Sequence, residues 1–467
     1  MSDDISPSAV ITRLRRSRNQ LLLSQKAVLD LAKLSDTEAA RLDFPESRAK
    51  RLSEAIGHSN LPLDTSMKLF SAAENLFEMR HLRMTREKAA IRKAATKQES
   101  DSKENRSEAV PNDSLTETAE GEGESAERLA FEALTTAIET AELPLRAVIL
   151  VIMTCDKILG EKPRSGLMLE SLLISAVAQF EVFVARMITA SLEFDPSPLK
   201  ASGAKYTYQE ITALGSLRVF QKSVIDSFVD SLMHDGMDKW MEFLGRASRS
   251  DTAWVSDLLA EVVMRRNVHV HAGGRASAQY ISSLGKTGAA VKLNDELPVT
   301  SAYLADALDR MARASIVLTQ AATFAVCSSK IGKGEPLLDP DIGLVEASFD
   351  LLAAGRWSAV APLAEQLDKI VGQASTRERL RANSFHAKKM WEGLESVQIE
   401  IEAWDLSAAD DELRLVKMCL LEKVGGAKRL YDKLTAVGTL SVMELATWPI
   451  LEPLRVALQS DGPAEVK

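Results

Sequence analysis

Cysteine is scarce and scattered. Cys155, Cys327 and Cys419 stand far apart, with no CxxC pair and no Cys/His ligand spacing. Such a set offers neither a disulfide framework nor a zinc site, and it fits a reducing cytosol. Aromatic residues are only 5% of the chain, while Ala and Leu dominate, which favours helix over strand. Long apolar runs are missing too. The longest, Ala147 to Cys155, falls far short of the ~20 residues that a membrane-spanning helix needs. The opening MSDDISPSAV is acidic and polar, unlike a signal peptide. These absences predict a soluble, cytoplasmic, essentially all-α protein without membrane contact.

Positive charge is also in deficit, with a formal net charge of −9. The deficit is local. Residues 98–127 hold ten acidic and two basic side chains, a net of −8, which leaves the remainder near −1. The overall sign therefore does not exclude nucleic-acid binding by a local basic patch.

What is present is helical periodicity. Residues 1–97 read as an N-terminal helical hairpin, with Leu14, Leu21 and Val28 seven apart, and Phe70, Phe77, Met84 and Ile91 likewise. Its second arm, Arg80 to Lys97, is basic. Either it contacts phosphates or it is a solvated face answering the acidic tract that follows. Residues 98–127, rich in Glu, Ser, Asp and Gly, read as a disordered acidic linker that cannot form a core. Residues 128–330 read as a helical domain, with helices near 128–142, 145–160, 166–194, 208–218, 220–235, 251–272 and 300–328. A loop with a short hairpin fills 274–299. A Gly/Pro linker at 331–341 precedes a further helical domain, 342–467, of paired antiparallel helices in tetratricopeptide-like style. Its Trp357, Trp391, Trp404 and Trp448 read as core more than as binding site. A concave helical surface there would suit a protein partner.

One stretch carries chemistry: Met264 to Tyr280, MRRNVHVHAGGRASAQY. Upstream, Trp254, Val255, Leu258, Leu259, Val262 and Val263 form a helical apolar stripe. Gly273 and Gly274 supply the usual helix end. Arg265, Arg266, Asn267 and His271 then lie on the last turns. At ~100° per residue, Asn267 and His271 share a face, Arg266 lies on its flank, and His269 is expected to point away from both. An imidazole moves protons near neutral pH, and a guanidinium grips phosphate oxygens with a fork of donors. Together they suit RNA cleavage, where the ribose 2′-OH is an internal nucleophile and no metal is required in principle. The alternative is a structural or solvated cluster, since cations near a helix C-terminus are favoured by the helix dipole.

Arg266-Asn267-Val268-His269-Val270-His271, with Gly273-Gly274 and Tyr280 following, resembles the Arg-x4-His motif of the HEPN superfamily. Leu172, Leu173, Ile174, Val177, Phe180, Glu181, Val182 and Phe183 resemble the first long helix of such domains. The resemblance spans about Gly166 to Lys330. It implies a helical bundle flanked by the N- and C-terminal helical regions, and a homodimer with two motif helices facing one cleft. It also implies a metal-independent endoribonuclease without cofactor, as in many toxins and antiviral-defence effectors. Arg266, Asn267 and His271 would be catalytic, Arg265 and Arg275 would bind RNA, and Glu181 would support the site. Ala272 departs from the expected polar residue without removing a catalytic group. Two other readings stay open: a catalytically silent module that binds RNA or nucleotide, and a helical scaffold in a larger assembly.

Overall fold

A chain rich in Ala and Leu satisfies its backbone locally, and it does so as helix. The computed structural model describes residues 6–39, 41, 44–55, 61–80, 117–143, 146–160, 163–201, 206–285, 291–329, 338–438 and 442–460. Among these, helix is the regular structure, and the single β contact is an isolated antiparallel bridge between Arg275 and Glu296. The all-α expectation holds.

The described residues form two units, Ala32–Leu169 and Met1–Leu31 with Glu170–Lys467. This grouping cuts across the boundaries expected at residues 97 and 128. In the first unit, helices Pro45–Ala55, 63–80, Glu117–Thr140 and Arg146–Gly160 enclose Leu52, Leu69, Phe70, Leu76, Leu134, Ile138 and Val151. Burial there pushes the Cys155 thiol up to about 12, so it stays protonated and apolar in character. Helix begins at Glu117, inside the stretch expected to be disordered. The apolar turns from Leu134 onward, with Leu134 and Ile138 in the core, anchor what precedes them. Of the expected basic arm, Arg80 is described, and its Nε donates to Glu127 Oε1 at 2.9 Å. Residues 81–97 lie outside the described residues, as do 98–116 of the expected linker.

In the second unit, the N-terminal helix Pro7–Leu34 buries Leu14, Leu21 and Val28, the heptad positions read from sequence. Its polar partners are remote in the chain. Arg18 Nη2 donates to Gly343 O at 2.9 Å, and Arg15 Nη2 donates to Asp339 O at 3.0 Å. The central helix Arg164–Phe194 runs 31 residues. The core helix Ser301–Ser328, capped by Thr300, is packed on most of its surface. Both are long and apolar enough, by length and composition, to cross a membrane. The Ser301–Ser328 window is 72% buried, as in a core helix, whereas the Arg164–Phe194 window is 39% buried.

The C-terminal helices, Leu344–Ala353 through Glu452–Ser460, pack about Leu351, Val360, Leu363, Leu380, Ile401, Leu415 and Leu420. Ala312, Ile316 and Val317 of the core helix join this packing, so residues on both sides of 331–341 share a core. Trp404 and Trp448 are buried and Trp357 is partly so. Trp391 departs from the core expectation at 57% exposure, because Ala374–Glu392 ends there and the chain turns away at Gly393.

Candidate active site

The motif helix spans Ala253–His271. Val255, Leu259, Val262 and Val268 are its buried face, as the sequence stripe requires. Its end is built by the two glycines. Gly273 and Gly274 take φ of 60° and 81°, and Gly274 N returns to Val268 O at 3.2 Å, closing the last turn. The chain then doubles back. Ala276 N donates to Asp295 O at 2.8 Å, and Leu297 N donates to Gly274 O at 2.9 Å. A short helix, Ala278–Leu284, lies within what was expected to be loop; Ser277 caps it by accepting from Tyr280 N. The hairpin expected at 289–293 falls partly outside the described residues.

A carboxylate cluster pins this excursion to the motif helix. Glu261 Oε1 accepts from Arg265 Nε at 2.6 Å and from Tyr280 OH at 2.8 Å. Glu261 Oε2 accepts from Tyr303 OH at 2.6 Å. Arg265 also donates to Pro298 O at 2.9 Å and lies 4.1 Å from the centre of the Tyr303 ring. Burial, then the Glu261 charge, raises the Tyr303 hydroxyl, so it remains a neutral donor; burial and the same bond raise Tyr280. Burial works against the Arg265 charge, but the Glu261 carboxylate together with Tyr303 and Tyr280 outweighs it and the guanidinium is raised. Arg265, expected on RNA, is thus engaged inside the protein.

Arg266 donates through Nη2 to Glu181 Oε1 of the central helix. This joins two residues that were read from separate stretches. Asn267 is half-buried and His271 is exposed. Arg275 is exposed and touches Asn294 O at 3.3 Å. Around the helix, at about 100° per residue, the order is Arg266, Val270, Asn267, His271, an arc of about 140°. Val270 is 46% exposed. The arc is therefore open to solvent, with an apolar residue inside it.

His269 points away from Asn267 and His271, as the spacing predicts, and its surroundings give it a role. It stands about 60° from Arg266 by the same count, off the face that Asn267 and His271 share, and it turns into the protein. Its side chain is 2% exposed, Nε2 donates to Leu297 O at 2.9 Å, and Nδ1 lies 3.4 Å from Glu170 Oε2. Because a carbonyl only accepts, Nε2 carries the proton. His269→Ala should leave Leu297 O unpaired and open a void. We expect a loss of about 1–3 kcal/mol of stability, read by urea unfolding; an unchanged midpoint would deny the ring this anchoring role.

Sequence reasoning missed Glu261, Glu170 and Tyr303. Two signals were available. Glu261 precedes Arg265 by four residues, a helical ion-pair spacing. Glu170 and Glu181 are eleven apart, three turns on one face of the central helix. Among the described residues, no group of three His, Cys, Asp or Glu side chains is placed to hold a metal ion. No family model, characterised protein or solved structure matches this chain.

Proposed function

We propose that this chain is a metal-independent endoribonuclease of the HEPN kind, acting as a homodimer, with the motif helices of two copies at one cleft. The observation that carries the reading is the solvent-open arc from Arg266 through Asn267 to His271, on a helix end held rigid behind by Glu261, His269 and the glycine turn. Exposed Val270 within that arc supports a second copy lying against it.

The chemistry follows from the side chains. Arg266 binds the scissile phosphate and holds the charge that grows on its oxygens. The 2′-OH attacks phosphorus and the bond to the 5′ oxygen breaks. His271 of one copy takes the 2′ proton, and His271 of the other returns a proton to the leaving oxygen. Asn267, between them on the arc, orients the ribose. The products are a 2′,3′-cyclic phosphate and a 5′-OH. DNA lacks the nucleophile and remains uncut. A cytoplasmic toxin or antiviral-defence effector is the setting we propose, with RNA as substrate and the C-terminal helices open to a protein partner.

Incubating the purified protein with mixed cellular RNA in EDTA tests this reading. Cleavage with those ends is expected, and a dimer by light scattering at micromolar concentration. A Mg²⁺ requirement, or a monomer with and without RNA, would overturn it. The ion pair between Arg266 and Glu181 favours a second reading, a silent RNA-binding module; that protein would bind the RNA and leave it intact.

A further inference from the structure

This inference rests on the reading of Arg266 as a phosphate ligand. Arg266 already has an anion. Glu181 Oε1 accepts from its Nη2, and Nη2 is the donor that the carboxylate engages. The guanidinium Nε is buried and has no hydrogen-bond partner among the described residues. A settled arginine–carboxylate pair commonly uses two parallel bonds. This one uses a single prong and leaves a costly buried N–H unmade. Arg266 and Glu181 keep 20% and 27% of their side chains exposed, so a ligand from solvent can reach both.

We propose that Glu181 is a displaceable latch, holding Arg266 where a phosphate would sit, and that RNA binds by expelling it. A phosphate has enough acceptor oxygens to engage Nε and Nη2 together, which the carboxylate does not do. Until then Glu181 cancels the arginine's charge and repels anions. A lone phosphate has only this one contact with which to displace it. A strand held through neighbouring phosphates as well brings the extra attraction that tips the exchange. The latch therefore selects polymer over small anions, and in the empty site it ties the motif helix to the central helix.

The test uses the full chain and a labelled single-stranded oligonucleotide whose riboses are all 2′-O-methylated, with binding read by fluorescence anisotropy at fixed salt. Glu181→Gln keeps the shape and removes the charge. Its Kd is expected to fall about tenfold, the equivalent of one strong charge contact. Inorganic phosphate should compete with the oligonucleotide more effectively in this variant than in the wild type. Adding Arg266→Ala should erase the gain. Glu181→Asp, which shortens the reach and keeps the charge, should fall between, and it supplies the reading if the glutamine variant misfolds. An unchanged or raised Kd in folded Glu181→Gln overturns the latch and makes Glu181 a support. The probe cannot be cut, so the two readings separate. A protein that shows the Glu181 effect but never cuts unmodified RNA loses the nuclease reading alone. One that cuts without a Glu181 effect loses the latch alone. Absence of binding in wild type and variants overturns both.

Discussion

Replacing His271 with alanine is expected to slow RNA cleavage about 10²–10⁴-fold, the usual worth of a general acid–base group. The residue is exposed at the last position of the motif helix, so its removal disturbs no packing and the loss should appear in rate with stability intact. Arg266→Lys should fail almost as badly, because an ammonium is a point charge and cannot replace the guanidinium fork. His269→Ala gives the opposite pattern: lower stability, with cleavage per folded molecule retained. Initial rates on labelled single-stranded RNA in EDTA, beside urea melts of each variant, read all three. Full activity in His271→Ala with loss in folded His269→Ala would reverse the assignment of the two rings.

The second large effect lies away from the motif. Asp309 of the core helix accepts from Arg356 Nε at 2.6 Å and from Ser358 Oγ at 2.5 Å. Arg356 reaches on to Gln25 Oε1 of the N-terminal helix at 3.1 Å, and its side chain is 6% exposed. Asp309→Ala should cost about 3–5 kcal/mol, since it strands a buried guanidinium without its counter-charge. Removing both charges together, in Asp309→Leu with Arg356→Met, should recover most of that loss, because the penalty belongs to the unpaired ion. Urea unfolding with an unchanged slope would report it cleanly. A loss under about 1 kcal/mol in the single variant would place the pair with ordinary surface ion pairs.

Much of the helical layout was legible because it depends on local rules. Thr300 as N-cap and the apolar period fix Ser301–Ser328, expected at 300–328. The stripe and the glycine pair fix Ala253–His271, expected at 251–272. Met237–Ser248 lies outside the helices expected from sequence, although Trp240, Met241, Phe243 and Leu244, its buried face, follow a break at Gly236. Acidic composition argued against helix at 117–127, where the helix continues from the apolar turns that follow. In the site, the exposed arc was readable from one helix. The roles of Arg265 and His269 were not, because their partners come from elsewhere: Tyr303, Pro298 and Leu297 past the turn, and Glu170 on another helix. Spacing along a helix gives a direction and says nothing of what waits there.

The attachment of the N-terminal helix sets a timetable for synthesis. Gln25 and its partner Arg356 are 331 residues apart. A ribosome adds ~5–20 residues per second, so roughly 17–66 s pass between the emergence of the first and the second. For most of that interval the helix that carries Leu14, Leu21 and Val28 lacks its contacts with Asp339, Gly343 and Arg356. A ribosome stalled before residue 339 would leave the helix with its partners Arg186 and Glu193 but without Asp339, Gly343 and Arg356. The unit that carries the motif helix draws on residues from both ends of the chain, so it can close only after nearly the whole chain has been made.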